Sequence, residues 1–356
     1  MIWERDPHTG AKHQLLHHYL SAWFPIMTQG RWGSVGCTYV DAFAGPGEYV
    51  DGSKGSPIIA LSIANWAEVT STGAPINLVF VEKDTARFEH LEGMLESHRG
   101  SNPNITVAQL NDACEDAFVP ALDRINAWGR PIFANFDGWG VDTPYALVER
   151  VGRDRDKAHE VLITFEAQWF TRFATLSEID AGDRVFGNQR WRKVATLGSP
   201  QEKRSFLVEE YRRRLDEAGF PFSLTFELID EGGHELLLVY GTSGIRGVEK
   251  MKDAMWHVDP VHGSRFRDPK DPNQIAFDLV ESDPDLRLLK QQLLLRLESG
   301  AASLAELKNY ALGETVYRGP HAGTAVAKLV EEGKVTRDPG QTDEQRIVRL
   351  ASASLF

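Results

Sequence analysis

Apolar residues follow two alternating rhythms along the first 245 positions. Over residues 9–27, Leu15, Leu16, Tyr19, Leu20 and Trp23 recur at the spacing of one helical face, which predicts an amphipathic helix. Thr38-Tyr39-Val40-Asp41 is a short apolar run that enters a glycine-rich turn. Ser56-Pro57 predicts a helix start, with serine as N-cap and proline at the first helical position; its apolar body continues over residues 58–69. Residues 77–82 read as a strand buried on both faces and ending in an acid, followed by a polar helix marked by Leu91 and Leu95. Residues 105–108, 131–136 and 161–165 are further strands, and 116–128 and 143–151 are helices between them. Such strand–helix repetition predicts a parallel sheet with helices on both faces. Residues 223–228 and 236–240 then flank Asp230-Glu231-Gly232-Gly233, a hairpin signature, so the sheet is expected to close with an antiparallel pair.

Two segments break this rhythm. Residues 166–221 carry Arg190, Arg192, Lys193, Lys203, Arg204, Arg212, Arg213 and Arg214, interleaved with Trp169, Phe170, Phe173 and Trp191. One reading is a solvated helical surface whose aromatics pack on the core. The other is a lid or basic wall beside the substrate, with rings and guanidinium groups suited to stacking on bases. Residues 246–283 hold several prolines and read as a connector. After it, helices at 286–297, 304–311 and 321–332 precede two short strands that bracket Asp338-Pro339-Gly340. Three helices and a hairpin predict a winged helix-turn-helix over 284–356, with the third helix as the recognition element. Such domains also serve as protein–protein modules. The expected division is 1–245, 246–283 and 284–356.

Composition adjusts this picture modestly. A chain of 356 residues with 42% hydrophobic content suits one large domain plus a smaller one. No apolar run approaches the roughly 18–20 residues that cross a bilayer. Met1-Ile2-Trp3-Glu4-Arg5-Asp6 lacks the basic-then-apolar pattern of a signal peptide, so a cytoplasmic protein with no membrane partner is expected. The cysteines, Cys37 and Cys114, are too few for a disulfide framework or a four-cysteine zinc site, and the histidines show no paired ligand spacing; no metal is expected. A net charge of −12 argues against coating nucleic acid non-specifically and leaves room for a local basic patch.

The chemistry concentrates at strand ends. In Tyr39-Val40-Asp41-Ala42-Phe43-Ala44-Gly45-Pro46-Gly47 a buried strand ends in an acid and turns through two glycines. Open α/β sheets bind ligands at the carboxyl ends of their strands, and glycines let the backbone approach closely. A dinucleotide fingerprint requires a third glycine where Val50 stands, so that rival fails. Glu82 ends the second strand, where a carboxylate can accept two ribose hydroxyls. Asp112 follows the third, where it can meet an adenine amine, and Asp137-Gly138-Trp139-Gly140 follows the fourth. Four acids in strand order point to S-adenosylmethionine held by Asp41, Phe43, Gly45, Gly47, Glu82 and Asp112. Asp137 and Trp139 would orient a methyl acceptor. His13 is either surface decoration or, should the first helix fold over the cofactor mouth, a base active near neutral pH.

Lys12-His13, residues 39–47, Gly55-Ser56-Pro57 and residues 247–256 together resemble the three-Cys-motif partner proteins, across most of residues 10–260. The resemblance implies a doubly wound, Rossmann-like methyltransferase sheet and a partner bearing a three-cysteine motif. Base-acting amino methyltransferases usually carry Asp/Asn-Pro-Pro-aromatic after the fourth strand. Here Asp137-Gly138-Trp139 keeps the acid and the aromatic and lacks both prolines. Glycine is expected to loosen that corner. Three functions are therefore carried forward. They are a methyltransferase with nucleic acid among its acceptors, a non-catalytic partner of a three-cysteine protein, and a winged-helix nucleic-acid-binding regulator.

Overall fold

The computed structural model describes residues 2–138, 141–173, 179–230, 232–267, 284–338 and 342–351. By internal contacts the chain divides into residues 1–250 with 266–274, and 251–265 with 275–356.

In the first unit the apolar runs become β1 (Cys37–Asp41), β2 (Ile76–Val81), β3 (Ile105–Leu110), β4 (Ile132–Phe136) and β5 (Glu160–Phe165). The hairpin is β6 (Phe222–Ile229) and β7 (Glu235–Thr242), and β8 (Arg265–Arg267) forms the edge. The sheet order is β3-β2-β1-β4-β5-β7-β6-β8. Strands β1 to β5 pair in parallel, and β7 runs antiparallel to both β5 and β6. This is a mixed α/β sheet, consistent with a Rossmann-like methyltransferase fold. Every residue of β1, β2, β4 and β5 is buried, which explains why these strands are continuous apolar runs rather than alternating ones. The order reverses between β1 and β4, and that is where such a sheet leaves a crevice at its carboxyl edge.

The helix Pro7–Met27 lies against the sheet through Leu15, Leu16, Tyr19, Leu20, Trp23 and Phe24. Its hold is polar as well as apolar. The Tyr19 hydroxyl donates to Glu160 Oε2 at 2.5 Å and lies 2.6 Å from the Tyr240 hydroxyl. The Thr242 hydroxyl donates to Glu160 Oε1 at 3.1 Å. Glu160 is fully enclosed, and burial pushes its carboxyl up to about 7 against the lowering effect of these donors.

Three local expectations are corrected. Gly55, not Ser56, is the N-cap of the helix Ser56–Ala64; Ser56 is the first helical residue, and its hydroxyl bonds the Asp41 carboxylate. The single helix expected over 56–69 is two, the second being Ala67–Thr70. Residues 245–258, expected within a connector, form the helix Ile245–Val258.

Residues 166–221 decide between their two readings. Phe170 and Trp191 are fully buried and pack with Phe165, Phe186 and Tyr211, and Trp169 packs partly against the same core. The side chain of Phe173 lies outside the described residues. Arg192 pairs with Asp183, Arg204 with Glu227 and Glu235, Arg213 with Glu210, and Arg214 with Glu217. Trp169, Phe170 and Trp191 thus serve the core, and carboxylates face most of the guanidinium groups, while Arg212 donates to the Ser223 hydroxyl and carbonyl.

The second unit holds the helices Arg287–Glu298, Leu304–Glu314 and Gly319–Glu331, with β9 (Ala302–Ser303), β10 (Val335–Arg337) and β11 (Ile347–Leu350) in an antiparallel sheet of order β10-β11-β9. Leu289, Leu293, Leu304, Leu307, Val326 and Leu329 form its core. The buried Lys252 ammonium shares its three N–H groups among four carbonyls within hydrogen-bonding distance, those of Ala311, Leu312, Thr315 and Tyr317 at 3.2, 2.5, 2.5 and 3.0 Å. It thus satisfies carbonyls left open at the end of Leu304–Glu314. Burial lowers its pKa to about 8.

Glu160 makes stability pH-dependent in a defined direction. Its folded pKa exceeds the free value of 4.5, so the folded state binds more protons between about pH 4.5 and 7. Stability therefore falls as pH rises through that window, by an amount on the order of 3 kcal/mol from this group. Read by urea unfolding, the stability of the chain relative to Glu160→Gln should therefore fall from pH 5 to pH 8, the other titrating groups acting alike in both.

Candidate functional site

The cavity at the carboxyl edge is shaped by a loop that only glycine can form. After β1 the chain turns through Gly45 at φ 63° and Gly47 at φ 83°, in the left-handed region that side chains resist. Gly55 closes the turn: its N–H donates to the Gly47 carbonyl at 2.7 Å, and a Cβ on Gly55 would sit 3.0 Å from the Gly47 backbone.

Glu82, just past β2, is buried beside this loop. Its Oε2 accepts the Gly45 N–H at 2.9 Å and its Oε1 accepts the Asp84 N–H at 2.8 Å. Asn111, after β3, donates to the Glu82 carbonyl at 2.9 Å. One carboxylate and one amide thus tie together the loops following β1, β2 and β3. Asp112 accepts the Ala113 N–H at 2.8 Å.

The cavity has a volume of about 420 Å³. It brings Phe43, Gly45, Gly47, Glu82, Asp112, Asp137 and His13 to one space, with Lys12, Tyr49 and Trp3 alongside. Trp139 lies outside the described residues, as does Gly140. Asp41 is fully buried beneath the loop rather than lining the cavity. It accepts from the Tyr39 hydroxyl at 3.2 Å and the Asn135 amide at 3.4 Å, and from Ser56. Burial raises its pKa to about 6 while those donors oppose the rise. Its place is structural: it braces the end of β1 from below.

Asp137 is held in a way the sequence did not signal. Lys12 Nζ donates to both of its oxygens, at 2.7 and 2.8 Å, and the Thr164 hydroxyl donates to Oδ1 at 2.5 Å. The first helix does reach the cavity, as the Lys12-His13 pair required. His13 there is a weaker base than a free imidazole. It is 7% exposed, and burial, then the neighbouring Lys12 charge, lowers its pKa to about 4, leaving a neutral imidazole. Its ring lies 5.5 Å from that of Tyr49, and among the described residues its Nδ1 has no hydrogen-bond partner.

Gly138 corrects the expectation of a loosened corner. A Cβ there would fall 2.7 Å from the Phe43 ring and 2.9 Å from Asp142 Cβ. The missing side chain permits close packing between the β1 and β4 loops, so a proline would collide with Phe43. The Cys114 thiol also faces the cavity, and burial pushes it up to about 12, which keeps it unreactive. Among the described residues no three His, Cys, Asp or Glu side chains group as metal ligands, and no helix is long and apolar enough to cross a membrane.

No family model and no curated relative matches the chain. Solved structures resemble it distantly. EvdMO1 is 12% identical with a TM-score of 0.33, over 65% of this chain and 42% of that one. The cyclopropane synthase MmaA2 of Mycobacterium tuberculosis is 12% identical with a TM-score of 0.28, over 63% and 64%. Precorrin-6y C5,15-methyltransferase of Geobacter metallireducens is 9% identical with a TM-score of 0.29, over 62% and 86%. The chain therefore spans less than two thirds of the first two. Superpositions this loose assign neither a family nor an activity.

Gly138→Ala tests the packing of the corner. Overpacking against Phe43 should cost about 1–3 kcal/mol, read as a lower urea midpoint than that of the parent chain; an unchanged midpoint would show that the two loops are not in contact.

Proposed function

We propose that the chain is an S-adenosylmethionine-dependent methyltransferase. The observation that carries this reading is the Glu82 carboxylate at the end of β2, bonded to the glycine loop of β1 and facing the cavity. Each of its oxygens accepts one N–H and keeps a second acceptor position, which suits the two hydroxyls of a ribose. Gly45 and Gly47 would bring backbone close to the methionine part, and Asp112 would take the adenine amine. The acids around the cavity favour a cationic sulfonium, and its volume lies within the usual range for one small ligand. The cofactor, when bound, supplies an activated methyl. The protein's part would be alignment, since proximity and orientation are worth several kcal/mol. Asp137, fixed by Lys12 and Thr164, would orient the acceptor together with Trp139.

The second unit would be a winged-helix recruiting domain. The helix Gly319–Glu331 presents Thr324, Ala327, Lys328 and Glu331 to solvent, a face with one base and one acid. That face favours a protein partner, such as the three-cysteine protein that the resemblance implies, over a nucleic-acid phosphate backbone. A cytoplasmic location belongs to the same reading.

Calorimetry with S-adenosylhomocysteine tests the proposal. One molecule should bind per chain, and Glu82→Ala should weaken binding about 10- to 100-fold, the worth of losing hydrogen bonds to a charged group. Absence of binding, or affinity indifferent to Glu82→Ala, would leave the non-catalytic partner as the better reading.

A further inference from the structure

The Asp137 end of the cavity has a hydrogen-bonding capacity that can be counted. Lys12 offers three N–H groups, and two of them reach Asp137 Oδ1 and Oδ2. Asp137 Oδ1 accepts from both Lys12 and Thr164 and is filled. Among the described residues, Asp137 Oδ2 accepts from Lys12 alone. One acceptor position and one donor therefore stand side by side, and the charges of the pair cancel. Next to them lies the His13 imidazole, whose buried Nδ1 has no hydrogen-bond partner among the described residues. The surroundings are flat and aromatic: Tyr49 stacks obliquely on His13, and Phe43 lies against the side-chain-free Gly138.

These features discriminate among ligands. A cationic amine would bring a second ammonium beside Lys12, where Asp137 is already neutralised. A carboxylate or phosphate would meet Asp137. A neutral group that donates one N–H to Asp137 Oδ2 and accepts one from Lys12 satisfies both, and a flat one gains ring contact besides.

We propose that this end of the cavity is a subsite for the edge of a neutral planar heterocycle bearing an N–H donor next to an acceptor atom, as on the amine and ring nitrogen of cytosine. The proposal deepens the methyltransferase reading by naming its acceptor class, and as regards transfer it rests on that reading.

Ligand-observed NMR and calorimetry on the full chain, with and without S-adenosylhomocysteine, test the subsite. Cytidine should bind. N4,N4-dimethylcytidine, which has lost the donor, should bind about tenfold more weakly, as should cytidine to Lys12→Met, since each loses about one hydrogen bond. n-Butylammonium should not compete. S-adenosylhomocysteine binding by Lys12→Met reports that the variant is folded, and Lys12→Arg, which keeps donors and charge, should retain part of the cytidine affinity. A short oligocytidylate that binds more tightly than cytidine identifies a base within a strand as the source; equal affinity identifies a free nucleoside. The proposal is overturned if cytidine does not bind in either state, if dimethylation or Lys12→Met leaves its affinity unchanged, or if n-butylammonium binds better. Because the cytidine arm is also read without S-adenosylhomocysteine, a failure of the methyltransferase reading is seen separately.

Discussion

Two N–H bonds to one buried carboxylate hold the candidate site in shape. Glu82 takes the Gly45 N–H with one oxygen and the Asp84 N–H with the other. A left-handed glycine turn has little to stabilise it by itself, because glycine loses more backbone freedom on ordering than any other residue. A charge-assisted bond from the turn to a fixed acid offsets that loss. The acid is fixed in turn because β2 lies fully buried between β1 and β3. The cavity is therefore a product of the sheet rather than of its loops alone.

Charge is distributed unevenly around it. Two carboxyls, Asp41 and Glu160, are sealed in the core and neutralised in part by raised pKa values and by donors from Ser56, Tyr39, Tyr19 and Thr242. Asp137 faces the cavity and is matched instead by a lysine. The buried acids connect elements: Asp41 joins β1 to the helix Ser56–Ala64, and Glu160 joins β5 to β7 and to the first helix. Such groups are costly to bury and specify which elements meet.

Much of the sheet was legible because its strands are buried on both faces and read as uninterrupted apolar runs with acids or asparagines at their ends. The hairpin was legible from Gly232-Gly233. What was not legible was long-range. Lys12 and Asp137 are 125 positions apart, and nothing near either residue announces the other. Asp41 and Glu82 both end a strand and look alike in sequence, yet one turns under the loop and the other toward the cavity. Pro57 marked the helix start, while Ser56 was drawn from capping to Asp41. His13 could be placed on the first helix, but its protonation depended on burial that only the fold supplies. In residues 166–221, charge and aromatics could be counted, but the acids that neutralise the arginines come partly from β6 and β7.

The anchoring of the first helix also orders events in time. Tyr19 meets Glu160 across 141 positions and Tyr240 across 221. Contacts so distant in sequence form late, because the chain must close long loops before they return any energy. Lys12 rides on the same helix two turns upstream of Tyr19. During synthesis, then, the glycine turn and Glu82 can come together early, while the polar anchor of the helix that carries Lys12 is complete only once β7 has left the ribosome and entered the sheet.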